Sequence, residues 1–176
     1  MAPAQASLLV KLDTQERVRD FLTNAVASGR ASHAYLFLGA PGAGKLDAAW
    51  ALAQAFLCEQ DGCGSCDSCV RVARHTHPDV HYYTPESATG YLIAQTRELL
   101  DDVPLAPIRA KAKVYIIDRA EQLRANTANA LLKTLEEPPE GVMFILLGTS
   151  ADVMLPTIVS RCPVSYTHLT LPTKLE

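Results

Sequence analysis

The chain has 176 residues, 48% of them hydrophobic and 20% charged, enough for one domain with a substantial core. Sixteen Lys and Arg stand against 19 Asp and Glu, a formal net charge of −3, so bulk charge marks neither a nucleic-acid-coating nor a membrane-binding surface, and any DNA role must come from a local patch or from partners. No apolar run is long enough to cross a bilayer, and the N-terminal stretch lacks the plan of a secretory signal, which predicts a cytoplasmic protein whose five cysteines are metal ligands or plain thiols rather than disulfides.

Residues 13–28 read as an amphipathic helix, with Val18, Phe21, Leu22, Ala25 and Val26 on one face, a capping-box-like Asp13 and Glu16, and Gly29 as a stop. Tyr35-Leu36-Phe37-Leu38 is a short apolar run ending at Gly39 and predicts a buried strand. A glycine loop follows, then a helix over 45–57 with an apolar stripe of Leu46, Ala49, Trp50, Ala53 and Leu57. Residues 58–69 form a loop rich in Gly, Ser, Asp and Cys. Beyond it, a strand is predicted at 80–83, a helix at 92–100, and a loop bracketed by Pro104 and Pro107. Residues 114–117 read as a buried strand ending at Asp118, and 125–137 as a helix presenting Ala128, Leu131, Leu132 and Leu135 until Pro138-Pro139 stops it. Residues 142–147 are a further apolar strand. Strands that alternate with helices, and that are continuously apolar, predict an α/β fold: a parallel sheet with helices on both faces.

Gly39-Ala40-Pro41-Gly42-Ala43-Gly44-Lys45 fits G-x-x-x-x-G-K between a predicted strand and a predicted helix. Glycines there let backbone N–H groups converge on phosphate oxygens, the helix N-terminus adds partial positive charge, and Lys45 neutralises the outer phosphates. Gly39, Pro41, Gly42, Gly44 and Lys45 are therefore candidate nucleotide-binding residues; a chance glycine-rich turn is the bland alternative. The next position is Leu46, where a Ser or Thr hydroxyl would ligate Mg²⁺. Asp118 at the end of its strand is placed to support a metal, but the following residue is Arg119 rather than the glutamate that handles the attacking water in such ATPases. Two replacements together predict a cleft that binds ATP or ADP weakly or not at all and does not hydrolyse it.

Cys58, Cys63, Cys66 and Cys69 have the spacing C-x4-C-x2-C-x2-C. Four clustered thiolates suit tetrahedral Zn²⁺, and a closed four-cysteine shell is structural. Gly62 and Gly64 permit the turns that aim sulfurs inward. Redox pairing and an iron–sulfur cluster are the competing readings. Cys162 is far away in sequence and reads as a buried thiol; His75, His77 and His81 read as structural or surface residues rather than ligands. The final stretch, 164–176, with its threonines and lack of period, resembles translated cloning sequence and is set apart from a domain at 1–163.

Several segments together resemble subunits of the bacterial DNA polymerase III clamp loader, in the AAA+ superfamily: Ser32-His33-Ala34-Tyr35-Leu36-Phe37, the cysteine cluster, NALLKTLEEPP from Asn129 to Pro139, and Ser160-Arg161-Cys162. The resemblance covers about residues 13 to 162. It implies an AAA+ P-loop-type sheet with an inserted four-cysteine zinc module. The family has motor subunits of the gamma/tau type, with intact phosphate loops and an Asp-Glu pair, and a delta-prime type whose loops are often degenerate. Leu46, Arg119 and Thr76-His77-Pro78-Asp79-Val80 resemble the delta-prime pattern. That type implies a stator without ATPase activity of its own. It works in DNA replication beside gamma/tau and delta subunits, acts on the sliding clamp and primed DNA through the complex, and offers Arg161 in trans to a neighbour's ATP. A guanidinium, always charged and able to contact phosphate oxygens at two points, suits that task; taken alone, Arg161 would read as a surface or structural arginine. Thr149 lies where the family places a sensor of the γ-phosphate. The resemblance also implies that part of the exposed face of the NALLKTLEEPP helix packs on a neighbouring subunit, and that a helical lid and collar follow, neither of which this sequence contains. Two alternatives remain: an ATP-hydrolysing gamma/tau-type motor, and a zinc-stabilised interaction module on an inert P-loop fold outside replication.

Overall fold

The computed structural model describes residues 16–161 together with Leu8, Leu12, Thr167 and His168, with the side chains of Arg161, Thr167 and His168 excepted. The elements in chain order are α1 (Glu16–Ala27), β1 (Ala34–Leu38), α2 (Lys45–Leu57), α3 (Asp67–Ala73), β2 (Val80–Tyr83), α4 (Ile93–Asp102), β3 (Lys113–Ile117), α5 (Ala125–Glu136), β4 (Val142–Gly148), α6 (Pro156–Arg161) and β5 (Thr167–His168). The strands form one sheet in the order β2-β3-β4-β1-β5, and every pairing is parallel.

Each strand sends alternate residues to opposite faces, and both faces are dry. Tyr35 and Phe37 of β1, Val114 and Ile116 of β3, and Met143, Ile145 and Leu147 of β4 pack with α1 and α2. Leu36, Tyr115, Ile117, Phe144 and Leu146 pack on the other side with α4, α5 and α6. This two-sided burial is why the strands read as continuous apolar runs. The predicted α/β sheet with helices on both faces is therefore found.

Helix α2 is buried over nearly its whole circumference, from Ala48 to Ala55 and at Leu57. The expected one-sided stripe was too narrow, because α2 lies between the sheet and both α1 and α3, and small alanines allow the close approach. Gln54 is the polar exception: it accepts from the Leu8 N–H at 2.7 Å and donates to the Cys69 carbonyl at 2.9 Å. It thereby ties the N-terminal segment and the cysteine segment to α2.

Three elements lay outside the expected set: α3, α6 and β5. Helix α3 begins inside the segment read as a loop, starting at Asp67 after a Cys66 N-cap whose side chain accepts from the Cys69 N–H. Helix α6 is too short to show a period in sequence and is held by Ile158, which is fully buried. Within the stretch 164–176, Thr167 and His168 pair parallel with Phe37 and Leu38. Asp13 and Cys162 lie outside the described residues.

Candidate functional site

The carboxyl ends of β1, β3 and β4 open onto one cleft of about 650 Å³. Pro41, Gly42, Ala43, Gly44, Lys45 and Leu46 wall one side, with Asp118, Arg119 and Glu121 after β3, and Gly148 and Thr149 at the end of β4. In open parallel sheets this crevice is where ligands sit. Six of the seven nucleotide-binding residues expected from sequence line it. The seventh, Gly39, turns its carbonyl to Lys45, whose ammonium donates to it at 2.5 Å. The Gly39 N–H reaches the Gly148 carbonyl at 3.1 Å and so ties the loop to β4. Gly42 and Gly44 have φ of 81° and 83°, in the left-handed region that glycine enters without strain. Gly44 is the N-cap of α2, so the loop delivers the amino end of a 13-residue helix to the cleft. These groups suit a phosphate.

The fold implies Mg²⁺ beside that phosphate, and the donor set does not suit the ion. The Leu46 side chain has no oxygen and packs on the core face that includes α2. Asp118 has both carboxylate oxygens engaged: the Tyr82 hydroxyl donates to Oδ2 at 3.0 Å and the Arg119 N–H to Oδ1 at 2.9 Å. Tyr91, itself buried, donates to the carbonyls of Asp118 and, at 2.9 Å, of Tyr83, so the ends of β2 and β3 are stapled together. Arg119 has φ of 47°, and its guanidinium donates to Thr84 Oγ1 at 2.8 Å, on the β2 side. No carboxylate stands at that position to orient water. Glu121 lines the cleft, yet its Oε2 is enclosed with no hydrogen-bond partner among the described residues.

The four cysteines form a second centre at the far end of α2. Their sulfurs all lie within 4.8 Å of one another. Cys58 and Cys66 Sγ are 3.8 Å apart, Cys63 and Cys69 Sγ 3.9 Å. Four sulfurs about 2.3 Å from a central ion stand ~3.8 Å apart, so the group suits tetrahedral Zn²⁺. These separations are far beyond the ~2.05 Å of a disulfide. Backbone N–H groups aim at the sulfurs: Gln60 and Cys63 at Cys58, Ser65 and Cys66 at Cys63, Cys69 at Cys66. Such donors favour thiolates. The side chain and N–H of Ser65 and the N–H of Cys66 bring the Cys63 thiol down to about 6. Burial pushes Cys66 and Cys69 up, as expected for thiols whose charge an ion would compensate. Asp61, Gly62 and Gly64 all have positive φ, the tight turning the glycines foretold.

No histidine joins this group among the described residues. His75 stacks on Trp50 at 4.0 Å, His77 faces Ser68 and the Asp79 N–H, and His81 meets Asp102 at 3.3 Å. Arg161 ends α6, and its side chain lies outside the described residues. On the NALLKTLEEPP helix, Ala128, Leu131, Leu132 and Leu135 are buried while Asn129, Lys133 and Glu136 are exposed. Sequence reasoning passed over Tyr82, Tyr91 and Glu121; only their closeness to the ends of β2 and β3 gave a signal.

A parallel sheet, a glycine loop feeding a helix, and an acid at the end of a second strand, with one strand between the two, define the P-loop α/β class. The same fold is found in Thermotoga maritima RuvB, the Holliday junction branch migration motor, which superposes with a TM-score of 0.52 at 19% identity over 85% of this chain and 43% of RuvB. A crystal structure of a DNA polymerase III gamma subunit-related protein from the same organism superposes with a TM-score of 0.61 at 21% identity, covering 84% of this chain and 45% of that one. In sequence, residues 14–169 match the family described as DNA polymerase III, delta subunit, and the chain belongs to that family. It is 41% identical to the DNA polymerase III subunit delta' of Bacillus subtilis over 153 residues, 85% of this chain and 46% of that protein. It is 43% identical to the subunit tau of Escherichia coli over 152 residues, 84% of this chain and 23% of that protein. The chain thus spans less than half the length of these relatives.

Proposed function

We propose that this chain is the nucleotide-fold portion of a delta-prime-type clamp-loader subunit, a stator in DNA replication that hydrolyses no ATP itself. It stands beside a gamma/tau motor subunit and presents Arg161 to that neighbour's ATP while the assembly, with delta, places a sliding clamp on primed DNA in the cytoplasm. Zn²⁺ held by Cys58, Cys63, Cys66 and Cys69 is structural in this reading.

The observation that carries it is the one-sided decay of the cleft. The groups that receive phosphate remain: Gly42, Gly44, Lys45 and the amino end of α2. The groups that manage metal and water do not: Leu46 stands at the hydroxyl position, and the Arg119 guanidinium is tied to Thr84. A site that no longer turns over ATP but sits in an AAA+-like fold suits a subunit that completes its neighbour's site.

The test is a reconstituted clamp loader carrying Arg161→Ala in the complete subunit. A finger supplied in trans is worth about 10³–10⁵ in rate in other NTPases. Assembly should persist while turnover at the adjoining site drops by about that factor. Unchanged turnover with intact assembly refutes the finger. The motor reading is favoured by the 43% identity to the E. coli tau subunit and by the presence of Lys45 and Asp118. It predicts tight, Mg²⁺-dependent ATP binding by the unmodified chain, which the stator reading does not.

A further inference from the structure

The cleft's misfit with Mg²⁺ has a component that neither Leu46 nor Arg119 accounts for. Tyr82 lies on β2 opposite Ile116 in the parallel register with β3. Ile116 and Asp118 share a strand face, so Tyr82 and Asp118 project to the same side of the sheet. The Tyr82 ring packs 6.2 Å from Trp50 of α2, which itself stacks on His75 just beyond α3. This wall directs the hydroxyl at Asp118 Oδ2, 3.0 Å away. The Arg119 N–H occupies Oδ1 from the other side, fixed there by the left-handed conformation of Arg119 and the bond of its guanidinium to Thr84.

We infer that Tyr82 acts as a latch on Asp118, a positioning residue that makes phosphate binding in this cleft independent of a divalent cation. The inference rests on the reading of the cleft as a degenerate phosphate site and names a further residue responsible for it. A magnesium ion carries its own shell of water, and those waters seek the carboxylate oxygen that Tyr82 already holds. Hydrogen bonds to charged groups shift equilibria by about ten- to a hundred-fold, and because Tyr82 is 39% exposed, water holds this one to the lower end, roughly tenfold, which the ion's hydrated shell must displace. Burial, then the neighbouring Asp118 charge, push the Tyr82 phenol above its ordinary value, so the hydroxyl keeps its proton and remains a donor. The ligand class is a nucleoside diphosphate or triphosphate bound through its phosphates without metal.

Calorimetric titration with ADP, in Mg²⁺ and in magnesium-free buffer passed over a chelating resin before the protein is added, tests this on the zinc-loaded chain. Four proteins are compared: unmodified, Tyr82→Phe, Leu46→Thr, and Leu46→Thr with Tyr82→Phe. The phenylalanine keeps the ring on Trp50 and removes only the hydroxyl, and the far-ultraviolet spectrum and melting temperature of each variant confirm folding. The unmodified chain should bind ADP equally with and without Mg²⁺. Tyr82→Phe should raise the ratio of affinity with Mg²⁺ to affinity without it by roughly tenfold in the Leu46→Thr background, which restores the hydroxyl partner of the ion. An unchanged ratio, with ADP binding intact, overturns the latch and leaves the phosphate site standing. Absence of ADP binding in all four proteins under both conditions overturns the phosphate site, and the latch with it.

Discussion

Replacing Asp79 with alanine should be the most damaging single change in the loop that borders the cysteine centre. Asp79 is fully buried, and its carboxylate accepts three backbone N–H groups: Ile108 on Oδ1 at 2.6 Å, and Arg109 and Ala110 on Oδ2 at 2.8 and 2.7 Å. Residues 109–111 form one wall of the cavity beside Cys58, Cys63 and Cys66. Removing the carboxylate strands three donors in a place water enters poorly. Hydrogen bonds to a charged acceptor contribute about 1.5–3 kcal/mol each, and partial relaxation of an exposed loop recovers some of that, so the loss is set at about 3–5 kcal/mol. For a chain of this size that is a fall in Tm of roughly 6–20 °C. Urea denaturation of zinc-loaded protein at pH 7 measures it. The same carboxylate has a signature in pH. Burial alone would raise its pKa, but the three N–H groups outweigh this and hold it below the usual carboxylate range. A group depressed in the folded state stabilises above its unfolded value of about 3.9, and the contribution fades as pH falls through the folded value. The difference between wild type and Asp79→Ala should therefore be full at pH 6 and shrink steadily below about pH 4. A loss under 1 kcal/mol at pH 7, or a difference that grows in acid, refutes the account.

Removal of zinc is the second test. If the ion closes the four-cysteine shell, chelation or Cys69→Ser should release one equivalent of Zn²⁺ per chain, read with a chromogenic chelator, and lower stability by several kcal/mol, since metal binding is linked to folding. Trp50 offers a local probe: His75 stacks on it at 4.0 Å directly after α3, so its fluorescence should change on metal loss even where the sheet persists. At Gly90, with φ of 123°, an added Cβ would stand 2.7 Å from the Gln122 carbonyl oxygen, a backbone atom that cannot rotate away. Gly90→Ala should therefore cost about 2–3 kcal/mol by denaturation, combining the forbidden backbone region with the clash.

Much of this molecule is legible in its residues, and the limits follow from distance in the chain. The strands at 35–38, 114–117 and 142–147 were readable because a sheet buried on both faces needs unbroken apolar runs; β1 and β4 prove one residue longer, and β3 one longer at Lys113. Lys113 is the instructive case. A lysine ordinarily ends a buried strand, yet here it is 2% exposed because Asp102, on α4, pairs with it at 3.0 Å. Nothing local to residue 113 announces that partner. The phosphate loop and the cysteine spacing were legible for the opposite reason: both are made from consecutive or nearly consecutive residues. Helix α3 hid inside the cysteine loop because its start is set by a sulfur cap at Cys66 rather than by apolar period. Tyr82 read as a strand residue and no more, since its consequence is a bond to Asp118, just past the end of another strand.

The same contrast bears on why the donor set of the cleft does not suit Mg²⁺. Leu46 and Arg119 are replacements within a motif, and either is reversible by one substitution. The Tyr82 hydroxyl, the Arg119 N–H and the Tyr91 bond to the Asp118 carbonyl come from three separate places and converge on one residue. An acid held in that way no longer needs a cation to be satisfied, which removes a reason for the site to recruit one. The Tyr91 hydroxyl, which also donates to the Tyr83 carbonyl, holds the ends of β2 and β3 together at the same place.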